Sequence, residues 1–164
     1  STTAQLVIGD ALAVCLLNLR KFSKEDFAKY HPGGTLGKKL SMKIKDIILQ
    51  NQKPEVKKLS NIKEVIFEIS SKRLGVTAVI EKDKIIGIIT DGDLRRMLEK
   101  TNNISNLTAF DIMSKKPKTI DHNAMATEAL ILMERHSISQ ILVEENKVYK
   151  GVIHMHDLIR EGII

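Results

Sequence analysis

The chain contains 164 residues, of which 43% are hydrophobic and 28% are charged. This length and apolar content are enough for one compact domain, or for two very small domains that share a core. The formal net charge of +6 comes from lysines interleaved with acidic residues. No aromatic side chains lie among these lysines to stack on bases, so we predict no nucleic-acid partner. The single cysteine, Cys15, excludes an internal disulfide framework and is typical of a protein in the reducing cytoplasm.

The N-terminal stretch is rich in Ala, Leu and Val, and residues 4–20 are predicted to form a helix. This run lacks a basic leader, is too short to cross a bilayer and contains Asp10 and Asn18. We therefore predict a helix packed against protein, with the Cys15 side chain buried, and no membrane partner. A capping-box pattern at Ser23 predicts the start of a second, short helix.

A loop follows at residues 31–37, with the sequence His-Pro-Gly-Gly-Thr-Leu-Gly. Its proline and three glycines allow the backbone to approach another group closely. Composition alone favours a connector between two domains.

An internal repeat organises most of the remaining chain. An offset of 64 positions aligns several identical residues without a gap, which random coincidence rarely does over a whole unit. The matches include Glu64 with Glu128, Gly87 with Gly151, Asp93 with Asp157, Leu94 with Leu158 and Arg96 with Arg160.

Each repeat is predicted to contain a helix, a β-hairpin and a second helix. The predicted strands cover 76–80 and 85–90 in the first repeat, and 140–143 and 148–154 in the second. The predicted three-residue turns are 82–84 and 145–147. First helices are predicted to start at Ser60 or Asn61 and at Asp121 or Asn123, and second helices at Asp91 or Asp93 and at His156 or Asp157.

A unit of about sixty residues is near the lower size limit for an independent core. We therefore expect the two repeats to pack against each other, in an α/β (α+β) fold with short sheets and flanking helices. Residues 99–105, rich in Asn, Thr and Ser, are predicted to link them.

The end of each predicted hairpin places polar residues at a helix start. Thr90 closes a strand, and Asp93 lies three positions later in the first helical turn. A hydroxyl and a carboxylate so placed could bind the vicinal hydroxyls of a ribose, while Gly92 and the free helix amides favour a phosphate. Helix capping alone explains Asp93 and is the favoured interpretation of a single unit. The repetition of the Asp does not decide between capping and binding, since caps repeat too.

The pattern Gly-hydrophobic-hydrophobic-Thr-x-x-Asp, closing each unit, resembles the CBS domain, over about residues 44–164. A tandem CBS pair binds nucleotides in the clefts between its repeats, and the resemblance assigns Thr90 and Asp93 to the ribose. In the second repeat it implies His154 and Asp157, but His154 replaces the expected Thr, so we predict unequal clefts. The resemblance also implies a base pocket that includes Thr77, Ala78 and Gln140.

The histidines could suggest a metal. His154 and His156 lie two positions apart, but a metal site needs three or four convergent ligands, and only His122 and His136 remain in this half. We predict no metal site, and capping, surface or ligand-lining roles for these side chains.

The first forty residues resemble the end of the sugar isomerase (SIS) domain of arabinose-5-phosphate isomerases. The resemblance lies in Gly9-Asp10-Ala11-Leu12-Ala13, in Asp26-Phe27-Ala28 and in the His-Pro-Gly-Gly loop. It implies three parts: residues 1–40 from a sugar isomerase domain, 41–104 as the first CBS repeat and 105–164 as the second.

This family interconverts D-ribulose 5-phosphate and D-arabinose 5-phosphate, which supplies the precursor of Kdo for lipopolysaccharide and capsules. The resemblance makes His31 a catalytic group of the parent enzyme. The other catalytic groups of the family lie upstream, so we expect this chain alone to be catalytically inactive.

The predicted function is therefore a regulatory CBS module, with no required cofactor. Its effector is predicted to be a nucleotide or nucleotide sugar, either an adenine nucleotide or CMP-Kdo, and CBS pairs are expected to self-associate into dimers or tetramers. Two alternatives stay open: a ligand-free assembly module, and the CBS module of a different SIS sugar-phosphate isomerase.

Overall fold

The computed structural model describes residues 1–23, 26–27, 30, 35–48, 52–101 and 103–164. These form two compact units, Ser1–Ser41 and Met42–Ile164. The first contains helices α1 (Thr2–Leu19) and α2 (Thr35–Ser41).

Helix α1 agrees with the predicted helix, but its side chains are exposed. The expectation that Cys15 is buried is therefore wrong, because the described part of this unit provides no surface that covers it. The expectation that this run is too short to cross a bilayer is also wrong by length. Among the described residues, α1 is the one helix long and apolar enough to span a membrane, a test that core helices of soluble proteins and signal sequences also pass. The predicted capping box is present: Ser23 Oγ accepts from the Asp26 amide at 3.1 Å, and Asp26 Oδ2 accepts from the Ser23 amide at 3.1 Å.

The second unit holds both repeats, each with a helix, a hairpin and a helix. Its elements are α3 (Ile44–Ile48), β1 (Glu55–Lys57), α4 (Ile62–Lys72), β2 (Val76–Glu81), β3 (Lys84–Thr90), α5 (Asp91–Lys100), α6 (Ala109–Ile112), β4 (Ser114–Lys115), β5 (Thr119–Asp121), α7 (Ala126–His136), β6 (Gln140–Glu145), β7 (Val148–His154) and α8 (Met155–Arg160). One sheet has the order β1-β2-β3-β4 and the other β5-β6-β7, with β1 parallel to β2 and β5 parallel to β6. The other neighbouring pairs are antiparallel.

Each hairpin turns over two residues rather than the predicted three. Lys82 and Asp83 have φ of 51° and 62°, and Asn146 and Lys147 have φ of 52° and 65°. Two successive positive φ values define the tight turn whose twist matches that of the strands, so Lys84 and Glu145 remain in strands.

The first helix starts are confirmed in one repeat and wrong in the other. Asn61 caps α4, and its side chain accepts from the Glu64 amide at 3.0 Å. In the second repeat α7 begins only after Met125, because Asp121 ends β5 and its carboxylate accepts from the Asn123 amide at 2.7 Å in a local turn.

The helix before each repeat packs on the other repeat. Ile44, Ile47 and Ile48 of α3 are buried in a cluster with residues of α7, β6 and β7, and the Ile44 amide donates to Ala124 O at 3.0 Å. In the same way Ala109 of α6 is buried with first-repeat residues, and its amide donates to Ser60 O at 2.8 Å.

A third cluster joins the two sheets, formed by Val76, Ala78, Leu142, Tyr149 and Val152. The repeats therefore pack against each other as expected. The division of the chain at residues 40 and 104 stays a prediction. The helix that precedes each repeat in sequence packs on the other repeat, so the packing of α3 and α6 crosses that division.

Candidate functional site

Thr90 and Asp93 meet where β3 ends and α5 begins. Thr90 Oγ1 accepts from the Asp93 amide at 3.2 Å and donates to Asp93 Oδ2 at 2.7 Å. The Thr90 amide donates to the same carboxylate oxygen at 2.9 Å. This is a complete capping box, so the capping interpretation is realised.

Asp93 is nevertheless more than a cap, because it is buried and other side chains also reach it. Its Oδ1 accepts from Arg96 Nη2 at 2.6 Å and from Ser114 Oγ at 3.1 Å. Burial acts to raise the pKa of this carboxyl, but the hydrogen bonds from Thr90, Arg96 and Ser114 together hold the pKa below its usual value of 3.8. A buried carboxylate that stays ionised is a strong hydrogen-bond acceptor.

The second repeat repeats this arrangement with a histidine. The His154 amide donates to Asp157 Oδ2 at 2.9 Å, and Arg160 Nη2 donates to Asp157 Oδ1 at 3.1 Å. His154 Nδ1 accepts from the His156 amide at 3.0 Å, and the two rings stack with centroids 4.9 Å apart.

Since Nδ1 of His154 accepts a hydrogen bond, the neutral ring carries its hydrogen on Nε2. Burial lowers the pKa of His154 from 6.5, the neighbouring His156 lowers it further, and Asp157 opposes this shift. The second repeat therefore presents a neutral imidazole where the first presents a hydroxyl.

The residues predicted for a base pocket are placed differently. Thr77 and Ala78 are fully buried within β2, and Ala78 belongs to the cluster that joins the sheets. Gln140 is half-buried and reaches the first repeat, where its Nε2 donates to Leu74 O at 3.3 Å. Their role toward a ligand stays a prediction, and the predicted catalytic His31 lies outside the described residues.

A cavity of about 380 Å³, within the size range of small-molecule sites, has Asp93 as the predicted site residue among its lining residues. Its lining combines basic, acidic and apolar side chains: Asp93, Arg96, Met97, Lys100, Thr101, Leu107, Asp111 and Ile112. A larger groove of about 1350 Å³ runs along β1 and α4 and contains none of the predicted site residues.

Ser114 was not among the predicted site residues, and Arg96 had no predicted role. The match of Arg96 with Arg160 was a signal for the arginine, because both lie one turn after the repeated Asp. Nothing in the local sequence marks Ser114, which reaches Asp93 only because β4 pairs with β3. Within the described part of the chain, no group of three or more His, Cys, Asp or Glu side chains could hold a metal.

The fold and the repeated site define the class of protein. The CBS domain model matches residues 44–100 and 109–163, and the chain belongs to the CBS-domain family. A solved CBS-domain structure superposes with a TM-score of 0.67 at 15% identity, covering 74% of this chain and 98% of the other. The CBS-domain protein of Pyrobaculum aerophilum, solved in complex with AMP, superposes with a TM-score of 0.65 at 20% identity, covering 71% of this chain and 90% of the other.

The curated relatives are more specific. The chain is 46% identical to arabinose 5-phosphate isomerase KdsD of Francisella tularensis, over 98% of this chain and 50% of that protein. It is 42% identical to KdsD of Escherichia coli, over 100% of this chain and 51% of that protein. The chain thus spans about half the length of these isomerases.

Proposed function

We propose that Met42–Ile164 is the regulatory nucleotide-binding module of a cytoplasmic arabinose 5-phosphate isomerase, which interconverts D-ribulose 5-phosphate and D-arabinose 5-phosphate for Kdo synthesis. The observation that carries the proposal is the buried, ionised Asp93 carboxylate, which lies beside the Thr90 hydroxyl and borders a cavity. The identity of 42–46% to the KdsD isomerases supports the parent enzyme.

Binding follows from the chemistry of this pair. The carboxylate accepts hydrogen bonds from the vicinal hydroxyls of a ribose, which are good donors to an ionised group. The N-terminus of α5 favours an anionic phosphate nearby, and Arg96 and Lys100 offer it cationic partners in the cavity wall, beside the acidic Asp93 and Asp111. The effector is an adenine nucleotide, as in the AMP complex of the Pyrobaculum aerophilum protein, or the nucleotide sugar CMP-Kdo.

Regulation requires two states of the enzyme that differ in affinity for the effector. We propose that the site acts through the arrangement of the catalytic halves, to which His31 belongs. The chain alone is expected to lack isomerase activity, and turnover of arabinose 5-phosphate by the purified 164-residue chain would contradict this.

Isothermal titration calorimetry of the 164-residue chain with AMP, ATP, CMP and CMP-Kdo tests the proposal. We expect one of these ligands to bind, and Asp93→Asn to weaken its affinity about tenfold or more, because the variant loses a charge-assisted acceptor. Asp157→Asn is the matched control in the second repeat and should weaken that affinity less. Heats of dilution only, for all four ligands, would contradict nucleotide binding.

A second function, a ligand-free assembly module that holds the isomerase as a dimer or tetramer, is favoured by exposed apolar side chains on four helices. These are Phe67 on α4, Leu98 on α5, Ile131 on α7 and Ile159 on α8. Sedimentation with and without nucleotide separates the two functions, since a pure assembly module keeps the same mass in both conditions.

A further inference from the structure

Arg96 occupies an oxygen of the carboxylate that a ribose would need. Its guanidinium donates to Asp93 Oδ1 at 2.6 Å, and a Cβ placed on Gly92 would lie 3.3 Å from Arg96 Nη1 and 3.5 Å from Thr90 Oγ1. The arginine therefore pairs with Asp93 and packs against Gly92, which lies next to the Thr90 hydroxyl. A Cβ at position 92 would therefore press on the guanidinium, which would have to shift by a few tenths of an ångström.

The guanidinium of Arg96 pairs with Asp93 but is otherwise open to solvent. The side chain of Arg96 is 61% exposed, although its partner Asp93 is buried. An exposed guanidinium can leave one acceptor for another at little cost, because solvent replaces much of the lost interaction. Asp93 also keeps its hydrogen bonds from Thr90 and Ser114 when the arginine departs.

The second repeat does not present the same surface. By the offset of 64, Gly92 corresponds to His156 and Thr90 to His154, and the two imidazoles stack there. Arg160 still donates to Asp157, at 3.1 Å. The first repeat thus has a glycine beneath its exposed arginine, and the second repeat has a histidine at that position.

We propose that Arg96 closes the Thr90–Asp93 site when it is empty and turns to the phosphate of a nucleotide when one binds. This inference rests on the proposed nucleotide-binding function. A nucleoside must displace the guanidinium from Asp93, and it carries no anionic group with which the displaced guanidinium could pair. A nucleoside 5′-phosphate gives the guanidinium a new anionic partner, so Arg96 selects phosphorylated ligands over nucleosides.

The test compares AMP with adenosine, and CMP with cytidine, by calorimetry on the 164-residue chain. In the native protein the nucleotide should bind about tenfold or more tightly than its nucleoside, the value expected for an arginine–phosphate hydrogen bond. In Arg96→Ala the nucleoside should bind more tightly than in the native protein and the nucleotide less tightly. In this variant the affinities for nucleotide and nucleoside should therefore differ by no more than about threefold. A difference that small is less than the contribution of one hydrogen bond to a charged group.

Two further variants control the test. Arg95→Ala removes the same charge from an exposed neighbouring position of α5 and should keep the native ratio. Arg96→Lys keeps the charge without the planar fork and should give an intermediate ratio. Circular dichroism and a melting curve establish that each variant is folded.

The outcomes separate this inference from the proposed function. If the native protein binds AMP or CMP and Arg96→Ala keeps the native ratio, the role of Arg96 is wrong and nucleotide binding stands. If Arg96→Ala binds a nucleoside and the native protein does not, the proposal that Arg96 closes the empty site is supported. If neither the native protein nor the variant binds any of the four compounds, both the proposed function and this inference are wrong.

Discussion

At the scale of single residues, the Asp93 carboxylate serves both the helix cap and the proposed site. Two of its hydrogen bonds come from Thr90, and two more come from Arg96 and Ser114. The capping bonds fix the position of the carboxylate and keep it ionised, which is the state a ribose requires. Capping and binding are therefore compatible functions of the same atoms.

A pH dependence follows from the cap of α8. The pKa of His154 is lowered from 6.5 in the folded protein, and protonation removes the Nδ1 acceptor used by the His156 amide. Stability from this group is therefore complete above pH 6.5 and is lost as the pH falls through the lowered folded pKa. His154→Asn, a capping residue that does not titrate, should flatten the decline in unfolding free energy between about pH 7 and pH 5.

Urea denaturation at a series of pH values measures this difference. His156 and Asp157, the titratable groups that face His154, are present in both proteins, as are His122 and His136. The difference between the two curves therefore isolates residue 154. Parallel curves for the native and variant proteins would contradict the role of His154 as a neutral cap.

At the scale of elements, the exchange of α3 and α6 between the repeats is the main feature of the core. Ile44 is fully buried against the second repeat, although it precedes the first in sequence. Ile44→Ala should lower the free energy of unfolding by about 3 kcal/mol, because it leaves a cavity in a packed core. Leu59→Ala, at a side chain that is 78% exposed, should cost less than about 0.5 kcal/mol.

Hydrogen exchange locates the effect of the same substitution. Ile44→Ala should reduce amide protection in β6 and β7 more than in β2 and β3, since α3 packs on the second repeat. Greater loss of protection in β2 and β3 would show that α3 belongs to the first repeat.

The elements also show what could be predicted from the sequence. The hairpins and the helices after them follow from alternating apolar residues and from Thr90 and Asp93, which are local signals. No element was predicted for Ile44–Ile48, and the surface that buries α3 belongs to the second repeat, far along the chain. The contact of Ser114 with Asp93 could not be predicted from the local sequence either, because it depends on the pairing of β4 with β3.

At the scale of the whole second unit, Tyr149 ties the repeats together. Its side chain is buried, its hydroxyl donates to Pro54 O at 2.8 Å, and its amide donates to Asp83 O at 3.2 Å. Burial raises the pKa of the phenol far above its usual value of 10, and the negative charges of Glu55 and Glu68 raise it further. The hydroxyl therefore stays protonated and can donate this hydrogen bond at neutral pH.

We expect Met42–Ile164 to unfold in one cooperative transition, because the repeats share a cluster and exchange helices. Tyr149→Phe should lower the unfolding free energy by about 1 kcal/mol without splitting the transition, since it leaves Pro54 O without this donor. Val148→Ala, at an exposed neighbouring position, is the control. Separate transitions for the two repeats, followed by calorimetry, would contradict this account.

The central claim is that the first repeat carries the nucleotide site, and amide chemical-shift mapping by NMR tests it most directly. The 164-residue chain, labelled with ¹⁵N, is titrated with AMP and with CMP-Kdo. The account predicts that the largest shift changes occur at the amides of residues 90–96 and 114. Larger changes at residues 154–160, or none anywhere with either ligand, would contradict it.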